Sequence, residues 1–158
     1  MLERNLSFDD PLFASWNELG VGAPTLIALA QLCCRAMVAG IASAERLSPE
    51  AKTILVAARK RGLIEIKATN TAYESPARLL TVHIEVAPEE RIRFRSNTDP
   101  HQNIRFFEGF RQLCASGLVM HHLCHEFSLT QAGFECAAAI PIEEVRSLLE
   151  LAQECGIV

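Results

Sequence analysis

Arg111 to Ala138 reads RQLCASGLVMHHLCHEFSLTQAGFECAA, and this stretch decides the fold, because a helix end, a hairpin and a second helix follow one another in it. With Leu123 and Cys124 as a two-residue loop, Met120 lies opposite Phe127 and Leu118 opposite Leu129, which makes one face continuously apolar. The other face then pairs His121 with Glu126 and Val119 with Ser128. Leu-Cys lacks the Asn-Gly or Gly-X chemistry that tight hairpins prefer, so a longer loop stays open as the alternative. Thr130 is suited to cap a helix over Gln131 to Ala139, which Pro141 stops.

Upstream, a helix from about Gln102 to Ser116 carries Ile104, Phe107, Leu113 and Cys114 as its stripe, with Phe106 and Phe110 flanking it. Its polar side chains include Arg105, Arg111, Asn103 and Gln102, the residue types that read base edges. The chain leaves this helix through Gly117-Leu118-Val119, turns in the hairpin and re-enters a helix through Leu129-Thr130-Gln131-Ala132-Gly133. That order resembles the second half of a winged helix-turn-helix domain, over about residues 102–139, roughly a quarter of the chain. The resemblance implies a recognition helix, a wing and a dimerising helix. The segment before the helix reads as strands, and the wing, Met-His-His-Leu-Cys-His-Glu, holds neither Lys nor Arg for phosphate contacts.

Composition sets the outer bounds. At 158 residues, 49% of them apolar, the chain can bury one sizeable core and reads as a single domain. Residues 1–23 form an N-terminal arm, 24–100 carry helices and a first hairpin, and 101–158 hold the winged-helix-like part with a C-terminal helix. The net charge of −4 is uneven: residues 49–125 hold 11 basic and 8 acidic side chains, a local +3, against −7 for the flanks. Overall acidity argues against general nucleic-acid binding but leaves room for a basic face.

Phe8, Leu12, Phe13, Trp16 and Leu19 are spaced so that this segment packs down either as a short helix or as an arm. Pro24 to Ala44 is a long, mostly apolar helix. Arg35 near its middle costs about 3 kcal/mol on insertion scales, so the helix reads as buried or dimer-forming and no membrane partner is expected. Ser48, Pro49 and Glu50 start another helix, which Arg59, Lys60 and Arg61 close before Gly62, and Leu63 to Lys67 continues as a strand.

Leu80 to Val86 and Arg91 to Arg95 alternate with period two around the turn Ala87-Pro88-Glu89-Glu90. A five-residue loop opposes Glu85 with Arg93, and a three-residue loop opposes Glu85 with Arg91. Arg91, Arg93 and Arg95 then line one face, an anion-binding or solvated stripe. The last helix, from Pro141 through Cys155 to Gly156, carries Ile142, Val145, Leu148, Leu149, Ala152 and Cys155 on its apolar side and an acidic outer face.

Six cysteines without a CxxC pair or a secretory leader point to reduced, mostly buried thiols in a cytoplasmic protein. His122, Cys124 and His125 are weak candidates for a metal site, and no metal or cofactor is expected. Phosphate loops, nucleophile elbows and His-Glu-x-x-His are missing, so no enzyme is expected. The expectation is an α+β fold of helices packed on two antiparallel hairpins, serving as a non-catalytic regulatory or protein-interaction module. The alternative is a DNA-binding transcriptional regulator using Arg91, Arg93, Arg95, Arg105 and Arg111. A homodimer is expected through Leu29, Leu32, Cys33 and Met37, or through Val145, Leu148, Leu149 and Ala152.

Overall fold

Ser48 caps a helix by accepting the Ala51 amide at 3.2 Å on its hydroxyl, and the Pro49 ring fits the first turn, so the chain enters a helix where the sequence says it should. The computed structural model of the protein describes residues 21–39, 47–68 and 78–155. Within them lie helices α1 (Pro24–Ala39), α2 (Pro49–Ala58), α3 (Pro100–Ala115), α4 (Gln131–Ala139) and α5 (Ile142–Leu149). The strands are β1 (Leu63–Lys67), β2 (Thr81–Ala87), β3 (Glu90–Arg93), β4 (Val119–His121), β5 (Glu126–Leu129) and β6 (Gln153–Cys155). The expected arm packing, the helix extension over 40–44 and the closure at Gly156 lie outside the described residues.

The fold is α+β. Both expected hairpins, β2–β3 and β4–β5, are present, and β1 joins them into one antiparallel six-stranded sheet of order β4-β5-β1-β2-β3-β6. Alternation in β1 and β2 sends Ile64, Ile66, Val82 and Ile84 to one face, where α2 and α3 cover the sheet. Phe94 stacks on Phe106 at 4.2 Å between ring centres, and Phe110 meets Phe127 edge-on at 5.0 Å, so aromatic contacts tie α3 to the sheet. Helix α1 turns Leu26, Leu29, Ala30, Cys33 and Ala36 inward at three-and-four spacing. No helix among the described residues is long and apolar enough to cross a membrane.

Three local expectations are corrected. The β4–β5 hairpin pairs Val119 with Leu129 and His121 with Phe127, one residue away from the expected register. Its loop is longer than two residues and puts Cys124 at φ +48°, and a slip of one residue exchanges the faces of β4. On α3 the buried stripe centres on Phe106, Phe110 and Leu113, while Ile104 is 55% exposed. Asn103 is buried because its amide accepts from the Ser96 N–H at 2.7 Å and donates to the Ser96 carbonyl. The last helix stops at Leu149, and Gln153–Cys155 instead form β6 against β3, satisfying backbone groups that an edge strand would leave open.

The thiols also differ from a mostly buried set. All six are free, but only Cys33 and Cys114 are buried, Cys34 is exposed, and Cys124, Cys136 and Cys155 are half-buried.

Candidate functional site

The same alternation that buries Ile64 and Ile84 turns Leu63, Glu65, Lys67, Thr81, His83 and Glu85 to the sheet face away from the helices. Strand registers then place ionisable side chains in lateral rows. Glu126 faces Glu65, Glu65 faces His83, His83 faces Arg93, and Arg93 faces Gln153, so one row crosses β5, β1, β2, β3 and β6. The neighbouring row runs from Ser128 to Leu63 and, on β2, β3 and β6, through Glu85, Arg91 and Cys155.

Two carboxylates directly across a strand pair repel each other, and Glu65 faces Glu126 in this way. The repulsion is offset at Glu65, which receives Arg91 Nη1 at 3.1 Å on each of its oxygens and Lys67 Nζ at 3.2 Å. Burial alone would raise the Glu65 carboxyl; the hydrogen bond and charge of Lys67, with the charge of Arg91, outweigh it and hold the group below the usual carboxylate range. Glu85 is answered from outside the row by Arg61 at 3.1 Å.

His83 is 5% exposed, and its partners fix its tautomer. Thr81 Oγ1 donates its single proton to the Lys67 carbonyl at 2.9 Å, so it accepts from His83 Nε2–H at 3.0 Å. Nδ1 is then the bare nitrogen, and it receives the Cys155 thiol at 3.8 Å. Burial, then the charges of Lys67 and Arg93, push His83 down to about 4. Burial also raises the Cys155 thiol. The pair is therefore neutral imidazole and neutral thiol, the reverse of the thiolate and imidazolium that a cysteine nucleophile needs.

Beside this pair the face sinks into a groove of about 340 Å³. Leu63 supplies its exposed apolar side chain; Ile64 and Phe127 also border it, but their side chains are buried in the core. Glu65, Glu85 and Glu126 supply three carboxylates, against Arg91 as the one guanidinium, with His83 and His122 completing the walls.

The arginines expected to act together fall on different parts of the fold. Arg91 is engaged by Glu65, Arg93 Nε donates to Gln153 Oε1 at 3.4 Å, and Arg95 is buried. Arg105 and Arg111 lie on α3, where Glu50 holds the first at 3.2 Å and Glu108 accepts from Nε of the second at 2.8 Å. Of the candidate metal ligands, His122 Nε2 meets Ser128 Oγ at 2.7 Å, and Cys124 sits in the turn, its carbonyl 2.8 Å from His121 Nε2. Among the described residues no three His, Cys, Asp or Glu side chains gather as a cation site. Leu29 and Val145 are consumed in the chain's own core, Leu32, Leu148, Leu149 and Ala152 pack half-buried against it, and Met37 is 67% exposed.

Sequence reasoning reached Arg91 but passed over Glu65, His83, Glu126 and Cys155. The alternation in LIEIK and TVHIEVA does put Glu65, His83 and Glu85 on the side opposite the isoleucines. What it lacks is strand order: that β1 lies between β2 and β5, and that the chain end returns as β6. No family model, curated protein or solved structure matches this chain.

Proposed function

We propose that this chain is a non-catalytic regulatory or protein-interaction module that engages its partner on the sheet face away from the helices. The observation that carries the reading is the groove, where the exposed Leu63 side chain and convergent polar walls meet on a face built from five paired strands. The neutral His83–Cys155 pair supports binding over catalysis. The distribution of Arg91, Arg93, Arg95, Arg105 and Arg111 over two layers, with Arg111 held by Glu108, favours a protein contact over a DNA groove. The winged-helix likeness enters the proposal as the order α3, β4, β5, α4 and adds no contact of its own.

Homodimerisation belongs to the same proposal. Leu29 and Val145 drop out of the contact, and the exposed end of α1 at Met37 and Val38 supports it instead.

The test is an NMR titration with a mixed panel of cationic, anionic and neutral peptides, run over a protein concentration series. Ligand-induced shifts are expected at Leu63, Glu65, His83 and Glu126, and concentration-dependent shifts at Met37 and Val38. Panel shifts confined to the helical layer would overturn the reading.

A further inference from the structure

We infer that the groove receives a long cationic side chain, lysine or arginine, from a segment of a partner protein, with its charge at Glu126 and its methylenes on Leu63. This rests on the open-face reading and adds the chemistry of the partner. The argument begins with the charges that line the groove: three carboxylates against one guanidinium. Arg91 and Lys67 together satisfy Glu65, and Arg61 satisfies Glu85. Glu126 is left exposed at the end of the row, with no ion-pair partner among the described residues, and its position opposite Glu65 makes an added cation favourable there.

The second observation is apolar. Leu63 is 43% exposed on the same face, one row from Glu126, and lines the groove. A bare inorganic cation has no use for that surface, and an anion would meet three carboxylates. Lysine and arginine combine an aliphatic stem with a charged tip, which matches an exposed leucine beside a carboxylate. At about 340 Å³ the groove is at the small end of ligand sites, with room for one long side chain and the backbone that carries it. Arg93 lies beyond His83 on β3, outside the groove lining, so it neither competes for Glu126 nor blocks the cation.

The experiment compares acetyl-Ala-Ala-Xaa-Ala-Ala-amide peptides, where Xaa is lysine, arginine, acetyl-lysine, norleucine or glutamate, by NMR titration of the full chain. Lysine and arginine peptides are expected to bind in the groove and to weaken as salt rises. Acetyl-lysine and norleucine should bind at least fivefold more weakly, and Glu126→Gln should weaken the lysine peptide by about five- to tenfold. Leu63→Ala should weaken it too, whereas Arg93→Gln should leave it unchanged. Both Glu126 and Leu63 are exposed, so these variants keep the fold. If the glutamate or norleucine peptide binds the groove as well as lysine does, or Glu126→Gln has no effect, the inference fails while the open-face reading stands. If no compound shifts the open face at all, both fail.

Discussion

Gly109→Ala is expected to lower the stability of this protein by about 1–3 kcal/mol, although alanine is the better helix former by about 1 kcal/mol. A Cβ built at Gly109 falls 2.7 Å from the Ala51 amide nitrogen and 3.1 Å from the Glu50 carbonyl carbon. Both are backbone atoms in the first turn of α2, so no side chain can rotate out of the way. The crossing is pinned on either side of the glycine, by Arg105 on Glu50 at 3.2 Å and by the Ser48 amide donating to Gln112 Oε1 at 2.9 Å. Moving α2 outward to admit a methyl group strains both contacts and loosens Ala51, Ile54 and Leu55 against α3. Urea denaturation should show a lower midpoint with an unchanged slope. Gly22→Ala is the control, because a Cβ there meets nothing within 4 Å. Equal midpoints for wild type and Gly109→Ala would show that the helices do not approach this closely.

The second large effect is a loss of stability in mild acid that His83 governs. Its folded-state value of about 4 lies below the ordinary histidine value of 6.5, so between these limits the unfolded chain binds a proton that the folded chain refuses. Stability from this group is fully present above pH 6.5 and is lost as the pH falls toward 4; below that both states are protonated and the slope ends. Taken over that window the linkage is roughly 2–3 kcal/mol. Glu65, held below the carboxylate range, adds a separate loss at lower pH, so the comparison with a His83→Gln variant isolates the histidine. Wild type should lose about 2–3 kcal/mol more than the variant between pH 7 and pH 4. Parallel curves would place His83 in contact with water and remove the neutral His83–Cys155 pair from the account.

Much of the local structure is legible in the sequence because it depends on near neighbours. Ser48-Pro49-Glu50 and Thr130 mark helix starts through short-range capping, and the Thr130 hydroxyl does accept the Gly133 amide at 3.1 Å while donating to the Gly117 carbonyl at 2.8 Å. The three-residue alternative for the β2–β3 hairpin is the observed pairing, with Glu85 opposite Arg91 and an irregularity before Ala87. Failures concentrate where partners distant in sequence decide. The β4–β5 register turns on Cys124 adopting φ +48°, which nothing in Leu-Cys announces. The fate of Gln153–Cys155 turns on β3 having an open edge, a fact absent from the C-terminal residues themselves. Glu65 and Glu126 lie 61 positions apart in sequence, so only the β1–β5 pairing brings them to one groove.

That pairing pattern can be read directly from backbone and side-chain proton contacts in solution, which is the most direct measurement on the open-face site. Cross-strand nuclear Overhauser contacts are expected between Glu65 and Glu126, Glu65 and His83, His83 and Arg93, and Arg93 and Gln153, in that lateral order. Contacts that instead slip Glu65 off Glu126 on β5, or that leave Gln153–Cys155 without neighbours on β3, would disassemble the row and contradict the site built upon it.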